Sequence, residues 1–114
     1  MADKTASRVV TLSGDGAIPM PADQRPVIYY LTKGSAAAIT IGVPTDGVDD
    51  GKEVLIISGS AYSHVVTQGT DGFNGKGSSG TITFAGKGGV MRCLAHNGHW
   101  WTGTGVGLNG ATVA

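Results

Sequence analysis

The sequence predicts an all-β protein: a single compact β-sandwich or β-barrel of about eight short, mostly antiparallel strands with an N-terminal extended arm. Twenty glycines and four prolines punctuate the chain so densely that no window of about 12 residues, roughly one average helix, combines a helical apolar period with freedom from helix breakers. Short runs rich in Val, Ile and Thr alternate with turn residues, which is typical of a sandwich or barrel. A chain of 114 residues is sufficient for one domain.

Residues 1–26 are predicted to be an N-terminal arm and Pro-rich attachment segment, and residues 27–114 the β domain. Within the first segment, the stretch RVVTL at 8–12 has the composition of a first strand. The stretch at 18–26 contains three prolines, which lack the N–H that a central strand needs. We therefore expect an extended loop there.

The β domain consists of short apolar runs separated by turn residues. The most apolar of them, EVLIIS at 53–58, is predicted to be the central strand. A Gly-rich loop at 68–80 contains one aromatic residue, Phe73, which we expect to anchor it. The other predicted strands are 27–32, 37–43, 62–67, 81–84, 90–96 and 99–103, and a weakly paired tail follows.

Asn97-Gly98 is the strongest local signal in the chain, because both residue types accept the positive φ angles of a type I′ hairpin turn. A two-residue turn pairs Ala95 with Trp100, and the side chains then alternate between two faces. The face predicted to join the core comprises Met91, Cys93, Ala95 and Trp100. The opposite face comprises Arg92, Leu94, His96, His99 and Trp101, which include residue types enriched at interfaces.

Several patterns that could carry chemistry are better explained by structure. His96 and His99 face each other and His64 could join them, but no Asp, Glu or Cys stands at ligand spacing, so no metal site is predicted. The loop at 68–80 lacks the spacing of a phosphate-binding loop. The carboxylates at 46–50 lack a calcium-loop pattern. Ser63 and His64 are adjacent on a predicted strand and point to opposite faces, so they cannot form a catalytic pair. With none of these patterns complete, no catalytic residue and no cofactor is predicted.

The charge balance and the apolar content indicate which classes of partner the protein can have. Eight basic residues balance eight acidic ones, so nucleic-acid binding is not expected. No apolar run approaches the length of a membrane span, and no signal peptide is predicted, so we expect synthesis in the cytoplasm. Cys93 is the only cysteine. Val, Leu, Ile and Phe together make up only 25 of 114 residues, a small core that an oligomer interface could extend.

From residue 50 to residue 101 the chain resembles small β-rich virion proteins of tailed bacteriophages. The resemblance rests on the segment DGKEVLIISGSAYSHVVT, the Phe73-Asn74-Gly75 loop, the segment TITFAGKGG, and the hairpin with Asn97, Gly98 and Trp100. It covers about half of the chain, and it extends to capsid decoration (cement) proteins and to modules of tail or fibre proteins.

The resemblance implies a non-enzymatic structural component, often a homotrimer. We expect a capsid decoration protein on the outside of the virion head, with the major capsid protein as partner and no membrane or nucleic-acid ligand. The alternative is a receptor- or glycan-binding module at a tail or fibre tip, where Trp101 and Tyr62 could stack on sugar rings. The residues expected at the capsid or oligomer interface are Arg8, Ile18, Met20, Arg25, Arg92, Leu94 and Trp101.

Overall fold

The computed structural model describes residues 8–102 and 111–114, which form ten strands in two five-stranded sheets. Sheet A has the strand order β1-β3-β5-β8-β9, and sheet B has the order β10-β7-β6-β4-β2. The strands are β1 (Arg8–Leu12), β2 (Gly16–Ile18), β3 (Val27–Leu31), β4 (Ala38–Ile41), β5 (Glu53–Ser58), β6 (Val65–Gln68), β7 (Gly80–Thr83), β8 (Val90–His96), β9 (His99–Trp101) and β10 (Thr112–Val113).

The predicted all-β, sandwich-like fold is confirmed, but the expectation of mostly antiparallel pairing is wrong. Four of the eight strand pairs are parallel: β1 with β3, β3 with β5, β2 with β4, and β4 with β6. From β1 to β6 the chain alternates between the two sheets, so each strand pairs with the strand two positions along and runs in the same direction. Turn signals mark the ends of strands but do not distinguish a hairpin from a crossover to the other sheet.

The core lies between the sheets and is centred on β5, the middle strand of sheet A, as predicted. Buried residues alternate with half-buried residues along β5 and mostly with exposed residues along β8. One side of each strand therefore faces the core. The radius of gyration is 13.2 Å, close to the value of about 13 Å expected for a compact domain of this length. The larger buried side chains are Ile18, Tyr29, Leu31, Ile39, Ile56, Val66, Phe73, Ile82, Phe84, Met91 and Trp100.

The hairpin between β8 and β9 has the predicted register. Asn97 and Gly98 have φ angles of 53° and 77°, as a type I′ turn requires. Ala95 pairs with Trp100, and both are fully buried. Leu94 pairs with Trp101 on the opposite face, and both remain partly exposed. The local turn chemistry is therefore sufficient to determine this register.

The segment from Arg8 to Ile18 is part of the two sheets and does not form a separate arm. β1 runs parallel to β3, and β2 runs parallel to β4. Ile18 is 2% exposed and belongs to the core. The predicted boundary at residue 26 therefore does not separate an attachment segment from the β fold. The first seven residues of the predicted arm lie outside the described residues.

The loop after β6 is organised by one buried side chain, that of Gln68. Its Oε1 accepts hydrogen bonds from the backbone N–H groups of Thr70, Asp71 and Gly72 at 3.0, 2.6 and 3.1 Å. Its Nε2 donates to the carbonyl of Ile41 on the neighbouring strand. Phe73, which is 3% exposed, anchors the loop in the core as predicted. Across the described residues no helix has the length and apolar character needed to cross a membrane.

Candidate interaction surface

The outer face of sheet A carries an apolar patch that extends across all five strands. Because side chains alternate along a strand, the residues between the buried ones point away from sheet B. The strand register arranges them in three rows. The rows are Val9, Ile28, Leu55 and Arg92; Thr11, Tyr30, Ile57 and Val90; and Glu53, Leu94 and Trp101. We call these residues the apolar face.

The apolar face is open to solvent in the structure. Val9 is 65% exposed, while Tyr30, Leu94 and Trp101 are each 37–38% exposed. The outer face of sheet B differs in chemistry, since it consists of small or hydroxylated side chains apart from one valine. Its residues are Ala17, Ala38, Thr40, Val65, Thr67, Thr81, Thr83 and Thr112. The contiguous apolar patch is therefore confined to the outer face of sheet A, and such an exposed patch indicates an interaction site.

One ion pair lies within the apolar face. Nε of Arg92 donates a hydrogen bond to Oε2 of Glu53 on the neighbouring strand. The Glu53 side chain is 19% exposed and that of Arg92 is 68% exposed. The pair leaves the face without net charge, so a partner surface needs no compensating charge to cover it.

Trp101 is held in position at one end of the apolar face. Its Nε1 donates to the carbonyl of His96 at 2.8 Å, and its ring meets the His99 ring edge-on with centroids 5.7 Å apart. A surface cavity of about 290 Å³ adjoins the ring and is lined by Arg92, Leu94, Trp101 and Thr102. The predicted interface residues of β8 and β9 therefore form one continuous site.

A second group of predicted interface residues surrounds Asp23. The guanidinium of Arg25 binds the Asp23 carboxylate, with the shortest contact 2.9 Å from NH2 to Oδ2. A guanidinium nitrogen of Arg8 lies 3.6 Å from Oδ1 of the same carboxylate. The hydrogen bond from Arg25 lowers the pKa of Asp23, so this carboxylate is ionised at neutral pH. Two cations around one anion leave this group with a single positive charge in excess.

In the structure, six of the seven predicted interface residues lie at the surface in two groups, and the seventh, Ile18, is buried. Arg92, Leu94 and Trp101 share the apolar face. Arg8 and Arg25 pair with Asp23, and Met20 lines a pocket together with Arg8. Ile18 is buried in β2, so it is not available to a partner, and that prediction is wrong. The Pro-rich context suggested an exposed residue, but the three-residue strand β2 turns Ile18 into the core.

The three histidines lie in different surroundings. His96 is exposed on β8, and His99 has its Nδ1 2.6 Å from Oδ2 of Asp71. His64 is fully buried at the start of β6. No group of three or more metal-ligating side chains occurs within residues 8–102 and 111–114.

Two carboxylates of the segment 46–50, those of Asp49 and Asp50, have different hydrogen-bond partners. Asp49 binds Lys52 and the backbone N–H of Thr45, each at 2.7 Å. Oδ1 of Asp50 accepts from the N–H of Asn97 in the hairpin turn. Asp50 therefore joins the turn before β5 to the tip of the hairpin, while Asp49 fixes the turn itself.

Ser60 and His64 form a hydrogen-bonded pair that the sequence analysis did not identify, since it considered only Ser63 beside His64. Nε2 of His64 lies 2.7 Å from Oγ of Ser60, and Nδ1 accepts the N–H of Ala37 at 3.0 Å. Because Nδ1 is an acceptor, the neutral ring carries its proton on Nε2 and donates it to Ser60. The Ser60 hydroxyl in turn donates to the carbonyl of Lys33. The imidazole cannot take a proton from this serine in that state, so the pair does not activate the serine as a nucleophile. It joins the loop between β3 and β4 to the loop between β5 and β6.

The only thiol of the chain is also inactive as a nucleophile. Burial raises the pKa of Cys93 to about 12, so the thiol remains protonated at neutral pH.

We expect the stability of the protein to fall as pH decreases from about 6.5 toward 5, because of His64. Burial, and to a smaller extent the positive charge of Lys33, lowers the pKa of His64 below its usual 6.5. In this pH range the unfolded chain therefore binds more protons than the folded one, and protonation favours unfolding. Denaturant unfolding at pH 7.5 and pH 5 measures the loss. His64→Gln should flatten this pH dependence, whereas the control His96→Gln, at an exposed site, should retain it. Equal slopes in both variants would contradict the assignment.

The two exposed aromatic residues of the glycan hypothesis do not form a common platform. Trp101 pairs through Leu94 with Glu53 at the start of β5, whereas Tyr62 follows the end of that strand. The six residues of β5 separate them, which corresponds to roughly 17–20 Å along the strand.

A comparison of the sequence with protein-family models and with curated proteins finds no match.

Proposed function

We propose that this protein is a bacteriophage capsid decoration (cement) protein, which binds the outside of the head as a homotrimer and stabilises the shell. The apolar face is the observation that carries the proposal. A lone subunit leaves Val9, Tyr30, Leu94 and Trp101 in contact with water, and covering them in an oligomer is favourable by about 25 cal/mol per Å².

In this proposal the two groups of interface residues have different tasks. The uncharged apolar face forms the contacts between subunits, which are typically more apolar than other surfaces. The group around Asp23, with Arg8, Met20 and Arg25, contacts the major capsid protein. The resemblance of residues 50–101 to phage virion proteins supports a location on the virion and synthesis in the host cytoplasm. The role is structural and non-enzymatic, with no cofactor.

The test is a charge placed within the apolar face, away from Arg92. Ile57→Glu, on the central strand of sheet A, should weaken subunit association at least about 100-fold, since a buried unpaired carboxylate is strongly unfavourable in an interface. Sedimentation equilibrium measures the association, and circular dichroism verifies that the variant is folded. The matched control is Thr67→Glu, at a half-buried outer position on the central strand of sheet B. It should leave the association unchanged.

Heads assembled without this protein test the location. Labelled wild-type protein should bind them in hundreds of copies, and Ile57→Glu should bind less. A stable wild-type monomer of 11.5 kDa at micromolar concentration would contradict the trimer. On complete virions, a few labelled copies at the tail tip would instead favour the receptor- or glycan-binding alternative, for which the exposed Trp101 ring beside its cavity is the supporting observation.

A further inference from the structure

A pocket lies beneath the edge strand of sheet A, on the side opposite to the apolar face. Its volume is about 290 Å³, and its walls come from the inner side of β1, from β3 and from the Pro-rich segment that follows β2. The lining residues are Arg8, Val10, Pro19, Met20, Pro21, Ala22, Val27 and Tyr29. Pro19 and Pro21 have no backbone N–H. The lining side chains are apolar apart from the Arg8 guanidinium and the Tyr29 hydroxyl.

Arg8, one of the two polar side chains that line this pocket, has an unused hydrogen-bond donor. Nε of Arg8 is buried and has no hydrogen-bond partner among the described residues. A buried donor without a partner is unfavourable, and the cost is relieved when a ligand supplies an acceptor. Beside it, Arg8 and Arg25 exceed the charge of Asp23 by one, so an anionic acceptor complements the site.

The backbone of β1 offers further donors and acceptors. The N–H of Arg8 donates to Pro26, and the carbonyl of Leu12 accepts from Thr32. In a parallel ladder alternate residues bond to the neighbouring strand, so the peptide groups of Val9 and Thr11 point away from β3. Among residues 8–102 and 111–114, β1 is the last strand of sheet A on this side. An extended chain could therefore add to β1 as a sixth strand.

We propose that the edge of β1 and the pocket beneath it form a binding site for an extended protein segment that carries an apolar side chain and a carboxylate two residues apart. Side chains two residues apart lie on the same face of a strand, about 6.6–6.8 Å from each other. The residue opposite Val10 then places its apolar side chain over the pocket. The residue opposite Arg8 directs its carboxylate toward the unpaired Nε–H.

The biological partner of this site rests on the proposed function, in which the protein binds the capsid shell. The site adds the chemistry of the shell segment that the protein would recognise. The exposed β1 edge and the single excess positive charge favour an acidic, extended segment over a folded surface. Pro19 and Pro21 fix the φ angles of the pocket floor, so little conformational freedom is lost on binding.

The probe is a capped five-residue peptide, Thr-Leu-Thr-Asp-Thr, added to the full-length ¹⁵N-labelled protein. We expect shifts in the Arg8 side-chain Nε–H signal and in the backbone amides of Val9 and Thr11. The matched peptide Thr-Leu-Asp-Thr-Thr has the same composition, but its leucine and aspartate point to opposite faces. It should bind at least about fivefold more weakly, since only one of the two contacts can form. Equal affinities of the two peptides would overturn the proposal.

Variants of the protein provide the second arm. Arg8→Met keeps much of the side-chain length without the N–H groups and should weaken peptide binding at least about tenfold, the loss expected for a charge-assisted hydrogen bond. Lys87→Met, at an exposed position in the loop before β8, is the control that should bind normally. Unchanged peptide binding by Arg8→Met would also overturn the site.

Heads and peptides together separate this proposal from the proposed function. If the peptide binds as expected but wild-type protein does not bind heads, the site stands and the decoration function fails. If heads bind wild-type protein and Arg8→Met equally well, the decoration function stands and the role of the site in attachment is rejected.

Discussion

Replacing Trp100 by alanine should lower the free energy of unfolding by about 3–5 kcal/mol, the range for truncation of a buried aromatic side chain. Trp100 is fully buried between the sheets, and its Nε1 donates to the carbonyl of Gly42 at 2.7 Å. Its backbone carbonyl also accepts the N–H of Asn74, which ties the Gly-rich loop to β9. Denaturant unfolding of the purified variant measures the loss.

Trp101→Ala is the matched control, because the neighbouring residue is the same amino acid on the opposite face of the same strand. Trp101 is 38% exposed, so its truncation should destabilise the isolated subunit less. It should weaken association instead, since the ring lies on the apolar face. A larger loss of stability for Trp101→Ala than for Trp100→Ala would mean that the register of the hairpin is displaced by one residue.

Replacing Gln68 by methionine should cost about 3–5 kcal/mol, although the side chain keeps its length, because several buried groups lose their partners. Gln68 is 4% exposed, and its amide satisfies three N–H groups of the following loop and the carbonyl of Ile41. Each buried group without a partner is unfavourable by about 1–3 kcal/mol, less where water can reach it.

Thermal and denaturant unfolding measure the effect of Gln68→Met. The control is Thr67→Val on the same strand, whose side chain is half-buried and points outward, and which should change stability by less than about 1 kcal/mol. If Gln68→Met is no more destabilising than this control, the loop does not depend on the glutamine amide.

The hairpin and the two faces of β8 could be predicted because their causes are local. Asn97-Gly98 specifies a turn type, the turn specifies the pairing of Ala95 with Trp100, and the period of two then assigns each neighbour to a face. The apolar composition of 53–58 was likewise sufficient to place β5 at the centre of sheet A. The position of Ile18 was mistaken because it depends on the pairing of β2 with β4, which lies outside its local sequence.

The candidate sites were predicted only in part. Arg92, Leu94 and Trp101 belong to one hairpin, so their common face could be derived from its register. The rest of the apolar face comes from β1, β3 and β5, and its continuity depends on which strands are neighbours. The pocket beneath β1 and the Ser60–His64 pair also join segments whose proximity has no local signal.

The amino-acid pattern alone predicts that the protein is built of short strands, where many of them begin and end, and which residues of the hairpin face inward. These properties follow from glycine and proline chemistry, turn geometry and side-chain alternation, which act over a few neighbouring residues. The folded chain shows in addition that the first six strands alternate between two sheets and that four of the eight strand pairs are parallel. It also places β1 last in sheet A among the described residues, above a pocket. Those choices depend on which apolar faces cover one another once the whole chain is packed, and neither periodicity nor turn residues encode that pairing.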